Sequence, residues 1–496
     1  MPELALDFKS QFMYNWLEMV DIQHITTRLG RWDQGKGPLY KLLATGLRRL
    51  LEAGELETGT PLPPERRLAA ALTVSRNTVT AAYAELRQDG WVDARRGSAT
   101  TVTALRHSPV GAYKANGMFA TLLQDHPDVI DLTIAVPDAA PIVADVLGDP
   151  ARHLSMPDAL WSGHGYHPSG IPALRQSLAD ILTGNGLPTD TDQLLVTSGA
   201  QQAISLLMRA LLRPGDLVGV EEVTYPGALD ALGAVGGRVS AIAMTNNGLD
   251  VESAEQVLRH QSPRLLYLVP TFHNPSGTLL EGSDRRRLAR AVAESNVTTI
   301  DDVTLADLDH GTPAPPHLAA LEPDAPIITV GSISKVFWGG LRIGFIRAHP
   351  TVISHIAGIK AISDLGSNAP AQVGAVAMLE HYRETRSWRN RTLAESLDAV
   401  TAALEEHLPE WEWERPQGGP HIWIRLPETD ASGFVQLAMR HGVAVIAGPL
   451  LAAVPGVATD RIRLPFYRSP EMLTESVERL AAVWKKRGRI LDLRSA

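Results

Sequence analysis

Val330-Gly331-Ser332-Ile333-Ser334-Lys335, running on through Val336-Phe337-Trp338-Gly339-Gly340 to Leu341-Arg342-Ile343-Gly344-Phe345, carries two hydroxyls, a lysine and an arginine into a glycine-rich turn. The apolar run from Pro326 to Val330 that precedes it predicts a buried strand. A lysine held against apolar surface can lose its proton and attack a carbonyl to form a Schiff base, while flanking hydroxyls and Arg342 can hold a phosphate. Taken alone, the same residues also suit an ordinary strand followed by a solvated lysine, so what the rest of the chain sets beside them decides.

From about Pro127 onward, apolar runs alternate with helical stretches, as in an α/β sheet. Ligands of such sheets gather at the carboxyl ends of the strands, so the residues after each strand matter most. Leu194 to Thr197 is followed by Ser198-Gly199-Ala200-Gln201-Gln202 and a helix through Leu212, a glycine turn whose free NH groups suit an anion. Leu217 to Val220 leads to Tyr225, which can stack on a flat heteroaromatic ring or simply pack. Arg264 to Val269 ends in Pro270-Thr271-Phe272-His273-Asn274-Pro275-Ser276-Gly277, with the Asn274 amide able to donate to a ring oxygen. Val297 to Ile300 ends in Asp301-Asp302. An aspartate there suits a buried cation or a protonated ring nitrogen.

Upstream, Leu39, Leu43, Leu47 and Leu50 fall on one helix face and Gly54 supplies a stop. Pro63-Pro64-Glu65-Arg66-Arg67-Leu68 starts a second helix, prolines costing nothing at its first turn. After Thr73-Val74, Ser75 is a natural cap for a third helix with Val79, Ala82, Tyr83 and Leu86 inward, ending near Gly90. Trp91 to Arg95 and Ala99 to Val102 read as strands around the basic turn Arg95-Arg96-Gly97-Ser98. Three helices and a basic hairpin make a winged helix-turn-helix. Arg76, Asn77 and Thr78 then face outward near a helix N-terminus, where they can reach phosphates and base edges.

Composition agrees with this division. The chain has 496 residues, enough for two or three domains, and 44% hydrophobic against 20% charged residues, as in a globular protein. Residues 36–106 carry 11 Lys and Arg against 7 Asp and Glu, whereas the net charge of the whole is −9, so a basic module sits on an acidic body. The absence of cysteine excludes disulfides, thiolate metal sites and cysteine nucleophiles, and the 16 histidines form no ligand-spaced cluster, so no metal is expected. Neither a signal-peptide pattern nor a membrane-length apolar run occurs, so a cytoplasmic location and no membrane partner are expected. Asp7 to Ile22 has helical apolar spacing, and Arg106 to about Asp125 has no sustained period and is taken as a linker.

Leu62-Pro63-Pro64-Glu65-Arg66 with Val74-Ser75-Arg76-Asn77-Thr78-Val79 resembles the GntR-type winged helix, which implies DNA contacts at Arg66, Ser75, Arg76, Asn77, Thr78, Arg96 and Gly97. Ser198-Gly199-Ala200, Tyr225, Asn274-Pro275-x-Gly277, Asp301 and Ser332-x-Ser334-Lys335 with Arg342, in that order, resemble the fold-type-I pyridoxal-phosphate aminotransferases. That resemblance covers roughly Asp131 to the final helix. It implies that Lys335 binds the aldehyde of pyridoxal 5'-phosphate as a Schiff base, Asp301 pairs with the pyridine nitrogen, and Asn274 bonds the phenolic oxygen. Ser198, Gly199, Ala200, Ser332, Ser334 and Arg342 would hold the phosphate, and Tyr225 would stack on the ring. Gly165-Tyr166-His167-Pro168 resembles the segment whose tyrosine reaches the neighbouring subunit's phosphate, implying a homodimer. Arg463, in Arg461-Ile462-Arg463, is similar to the arginine that clamps a substrate carboxylate. Val303 and Thr304 stand where many relatives have a tyrosine.

Fused, the two resemble the MocR-type transcription regulators. The implied architecture is α/β: a helical extension (1–35), a winged helix-turn-helix (36–106), a linker (107–126) and an aminotransferase-like domain (127–496) with a mainly parallel sheet and a smaller C-terminal subdomain from about residue 390. The implied function is a regulator that binds a double-stranded operator and senses the cofactor, an amine or an amino acid. The alternative is a working aminotransferase with an accessory DNA-binding module.

Overall fold

The computed structural model describes residues 22, 25–33, 37–52, 55–56, 59–93, 100–103, 128–149, 163–427 and 429–495. The expected helix over Asp7 to Ile22, the linker, and the wing tip with Arg96 and Gly97 therefore lie wholly or almost wholly outside the described residues.

Helices α1 (Leu39–Glu52), α2 (Glu65–Ala71) and α3 (Arg76–Gln88) form the N-terminal module, and strands β1 (Val92–Asp93) and β2 (Thr101–Val102) pair antiparallel. Leu43, Leu47, Leu68, Val79, Ala82 and Leu86 are fully buried in one core, each large side chain contributing about 1.5–3 kcal/mol. Ile25, Leu29 and Trp32 pack into the same core. Leu39, expected on the inward face of α1, is instead 46% exposed, because it opens the helix before the core begins. Ser75 caps α3: its Oγ accepts from Thr78 N at 3.1 Å, satisfying one of the free NH groups of the first turn.

The central sheet contains β3 (Leu194–Thr197), β4 (Leu217–Glu221), β5 (Arg238–Ile242), β6 (Leu265–Leu268), β7 (Thr298–Asp302), β8 (Ile327–Ser332) and β9 (Gly344–Arg347). Their order is β3-β9-β8-β7-β6-β4-β5, parallel except for β9, which runs antiparallel to both neighbours. These strands are apolar almost throughout because helices cover both faces. Helix α4 (Ala200–Leu211) packs on one face, whereas α5 (Gly282–Ser295) and α6 (Leu318–Leu321) pack on the other.

After α7 (Tyr382–His407), strands β10 (Glu412–Trp413), β11 (His421–Arg425), β12 (Ile446–Ala447) and β13 (Arg461–Pro465) form a smaller antiparallel sheet ordered β10-β11-β13-β12. Helices α8 (Ala431–Arg440) and α9 (Pro470–Ser495) cover it around a core of its own. The N-terminal module touches this part of the chain through α8. Arg440 is the centre of that contact: its Nη2 donates to Leu72 O, its Nε lies 3.8 Å from the Asp33 carboxylate, and its guanidinium sits 5.1 Å from the Trp32 ring centroid. Thr73 Oγ1 adds a 3.4 Å bond to Gly433 O.

Candidate cofactor site and nucleic-acid interface

At the carboxyl ends of β3, β7 and β8 lies a cavity of about 500 Å³, a size suited to a small cofactor. Ala200, Gln201, Tyr225, Asn274, Asp302, Ser332, Ser334, Lys335, Arg342, His421 and Arg463 are on its walls. Most of the residues expected to meet there do so.

Lys335 follows β8 in a short 3-10 turn, and its Nζ donates to Ala135 O at 2.5 Å. Burial, reinforced by the Arg463 charge, pushes its ammonium down to about 8 from the usual 10.5. A lysine so placed holds an appreciable neutral fraction at physiological pH, which a nucleophilic amine requires.

The side expected to take the phosphate is built from backbone and hydroxyls. Gly199 has φ +86, and a Cβ there would lie 2.8 Å from Arg342 Nη2, so glycine is needed for the turn and for the arginine's approach. Arg342 itself is left-handed at φ 53 and donates from Nη2 to Ser198 O at 2.6 Å, bracing the turn that opens α4. Ser332 Oγ bonds Ser334 Oγ at 2.8 Å and donates to Ile343 O at 2.9 Å, which fixes the hydroxyl pair. Gln201 was not singled out from sequence. It lies on the cavity wall, donates to Gly227 O at 2.8 Å and has its Oε1 buried without a hydrogen-bond partner. Its signal was present, since it follows Gly199 and Ala200 in the first turn of the helix that opens on the cavity.

The aspartate expectation needs correction. Successive residues of β7 point to opposite faces. Asp301 turns away from Lys335: its Oδ2 accepts from Leu318 N at 3.3 Å and its charge faces the buried Arg285. Asp302 is the carboxylate on the cavity wall, accepting from Tyr267 Oη at 2.7 Å and from Thr304 N and Oγ1 at 3.0 and 2.5 Å. Burial raises the Asp302 carboxyl above the usual range, the Thr304 and Tyr267 bonds opposing the rise, and a cationic ring nitrogen would offset that cost. Thr304 also lines this cavity, whereas Val303 faces a separate cavity of about 170 Å³ across Ser332.

On the opposite wall, Arg463 Nη2 donates to Thr133 O at 2.6 Å and Nη1 to Asn274 Oδ1 at 3.1 Å. With its oxygen so engaged, Asn274 keeps its amide NH2 for the cavity. Burial pushes the Arg463 guanidinium down to about 10, still cationic at neutral pH. Arg461, two residues earlier on β13, lines a different surface depression. Tyr166 lies outside the cavity, 55% exposed and stacked near His164 at 5.4 Å. Among the described residues no group of three His, Cys, Asp or Glu side chains is placed to hold a metal.

On the N-terminal module, Arg66, Ser75, Arg76 and Asn77 are exposed at the start of α3 or beside it, and Thr78 is half-buried. Glu65 organises this face, lying 3.3 Å from Arg76 Nη2 and accepting from Thr80 Oγ1 at 2.9 Å. Ser75 and Thr78 bond each other at 2.8 Å, which partly commits their hydroxyls to the cap.

A buried lysine, a buried carboxylate, an aromatic wall and a glycine turn opening a helix fit a pyridoxal 5'-phosphate site, here joined to a helix-turn-helix. Comparison with known proteins agrees on both halves. Residues 159–480 match the aminotransferase class I and II family, to which the chain belongs, and residues 39–102 match the bacterial regulatory proteins of the gntR family, the combination found in MocR-type regulators. The uncharacterized HTH-type transcriptional regulator YisV of Bacillus subtilis is 29% identical over 446 residues, 85% of this chain and 91% of that protein. The probable rhizopine catabolism regulatory protein MocR of Rhizobium meliloti is 28% identical over 461 residues, 87% and 88% of the two chains. Among solved structures, LysN, the alpha-aminoadipate aminotransferase of Thermus thermophilus complexed with N-(5'-phosphopyridoxyl)-L-leucine, superposes with a TM-score of 0.69 at 28% identity, covering 76% of this chain and 95% of that one. No helix among the described residues is long and apolar enough to cross a membrane.

Proposed function

We propose that this protein is a homodimeric DNA-binding transcription regulator whose aminotransferase domain senses pyridoxal phosphate, an amino acid or amine, or their combination. The observation that carries this is the docking of the DNA-binding module, through Leu72, Asp33 and Trp32, on Arg440 of the same subdomain that supplies Arg463 to the cofactor cavity. A ligand alters DNA binding only by binding two conformations unequally, and this contact offers a place where they can differ.

Pyridoxal phosphate, when bound, supplies an aldehyde that exchanges amines and a ring that accepts electrons. The chain's residues provide the rest. Lys335 offers a neutral amine, Asp302 would hold a protonated ring nitrogen, and Tyr225 and Val269, both on the cavity wall, would pack against the ring. The turn at Ser198 to Ala200, with Ser332, Ser334 and Arg342, takes the phosphate. Arg463 orients an incoming carboxylate and Asn274 holds the phenolic oxygen. Tyr166, exposed on the single chain, is assigned to the partner subunit's phosphate. Arg66, Ser75, Arg76, Asn77 and Thr78 are assigned to DNA, together with Arg96 and Gly97 of the wing.

Arg76→Ala is expected to weaken binding to selected duplex DNA by about ten-fold while leaving cofactor content unchanged, measured by fluorescence anisotropy and absorbance. Unchanged DNA affinity would remove α3 from the recognition role. Arg440→Ala is expected to keep both binding activities but to shrink the ligand's effect on DNA affinity several-fold, from a coupling that in such systems is about 1–3 kcal/mol. An undiminished ligand effect would place the coupling elsewhere.

A second function, amino-group transfer, is favoured by the meeting of Lys335, Asp302 and Arg463 in one cavity. Multiple-turnover conversion of a keto acid would establish it, and stoichiometric exchange alone would leave the cavity a sensor.

A further inference from the structure

His421 opens β11 and has no part in the assignments above. It is 1% exposed, it lies on the wall of the cofactor cavity, and both its Nδ1 and Nε2 are buried without a hydrogen-bond partner. Leaving a buried polar atom unsatisfied is costly, so a histidine with both nitrogens idle calls for a function.

The register of the small sheet shows which residue His421 lies beside. Trp423 lies opposite Arg463 and His421 opposite Pro465, so His421 and Arg463 are diagonal neighbours on one face of the β11–β13 pair. Burial above all, with the Arg463 and Lys335 charges, keeps the imidazole neutral, and His273 is the other titratable group that faces it. A neutral imidazole has one N–H to give and one lone pair to receive. Beside a guanidinium already fixed by Thr133 O and Asn274 Oδ1, the group that would take that N–H is an anion bridging the two donors. Further along the same wall, Ile134 and Val136 offer apolar surface to whatever the anion is attached to.

We propose that His421 determines ligand specificity: its ring N–H donates to the carboxylate of an α-amino acid held by Arg463, so that the cavity selects amino acids over amines with the same side chain. This rests on the sensing role proposed above and adds the ligand class and the residue that reads it.

The test uses the full-length, cofactor-loaded protein and follows its visible absorbance during titration with L-leucine and 3-methylbutylamine, and with L-alanine and ethylamine. Each pair differs only by the carboxylate. His421→Phe, which keeps a flat ring without the N–H, is expected to lose about ten-fold in affinity for the amino acids and to stay within about two-fold for the amines. Cofactor content should not change. His421→Gln, which restores a donor, is expected to recover most of the amino-acid affinity, a result a purely structural histidine would not give. Equal losses for amino acids and amines, no loss for either, or loss of the cofactor itself would overturn the assignment and leave the sensing role standing. If the wild-type absorbance responds to none of the four compounds, the assignment falls, and the sensing role is left to pyridoxal phosphate itself. Should the phenylalanine protein fail to fold, His421→Leu replaces it as the variant without a donor: a loss of about ten-fold confined to the amino acids supports the proposal, and equal losses or no loss overturn it.

Discussion

Lys335→Ala protein, loaded with pyridoxal 5'-phosphate and reduced with borohydride, is expected to carry no covalently attached cofactor, whereas the wild type should carry it on the peptide containing Lys335. Only a neutral amine forms the carbon–nitrogen bond, and the buried Nζ, depressed to about 8, is placed to supply one. The sign of the pH dependence follows. Below about pH 8 the ammonium predominates and attachment slows; through pH 8 the free amine appears and the rate climbs to a plateau, more than two pH units before an ordinary lysine would reach it. Mass spectrometry of the reduced protein checks the site, and stopped-flow absorbance checks the profile. Undiminished attachment in the alanine protein would move the site to another lysine.

Asp302→Ala and Asp301→Ala are expected to behave oppositely. Removing one member of a buried charge pair typically costs about 3–5 kcal/mol, so Asp302→Ala should weaken cofactor binding by about a hundred-fold or more. Asp301→Ala should leave cofactor affinity within a few-fold. Its cost falls on folding, because Arg285, 1% exposed and held by the carbonyls of Pro316 and Leu280 at 2.6 and 3.1 Å, loses the carboxylate that faces it. Equilibrium dialysis of the cofactor and thermal denaturation separate the two effects. The reverse order, with Asp301 controlling the cofactor, would contradict the orientation of β7.

The contrast between these neighbours shows what a sequence of this kind discloses. The strands were legible because each is a short apolar run closed by turn residues, and those runs agree with β3, β4, β6, β7 and β8 to within a residue or two. Which of two adjacent aspartates faces the cofactor was not legible. An apolar strand buried on both faces has no polar alternation to fix its phase, and that phase is set by Ile300 and Val330 packing under α4 while Thr299 and Asp301 face α5 and α6. His421 was missed for a related reason: a lone histidine beginning an apolar strand looks like any core residue until the β11–β13 register sets it diagonal to Arg463. The helix-turn-helix needed less, since Ser75, the prolines and the Leu43 and Leu47 spacing are all local signals. The Arg440 contact joins residues 33 and 72 to residue 440, far apart in sequence and without a shared motif, and only the folded chain brings them together.

The central claim is that the cofactor cavity and the DNA-binding face act on each other. The most direct measurement is the affinity of the cofactor-loaded dimer for duplex DNA selected by the protein itself, by anisotropy at fixed salt, with and without saturating L-leucine or L-alanine, in wild type and in Lys335→Ala. The account predicts at least a five-fold change in wild-type affinity on adding the amino acid, in line with typical coupling energies, and no change in the variant. Identical DNA affinities in all four states would contradict it.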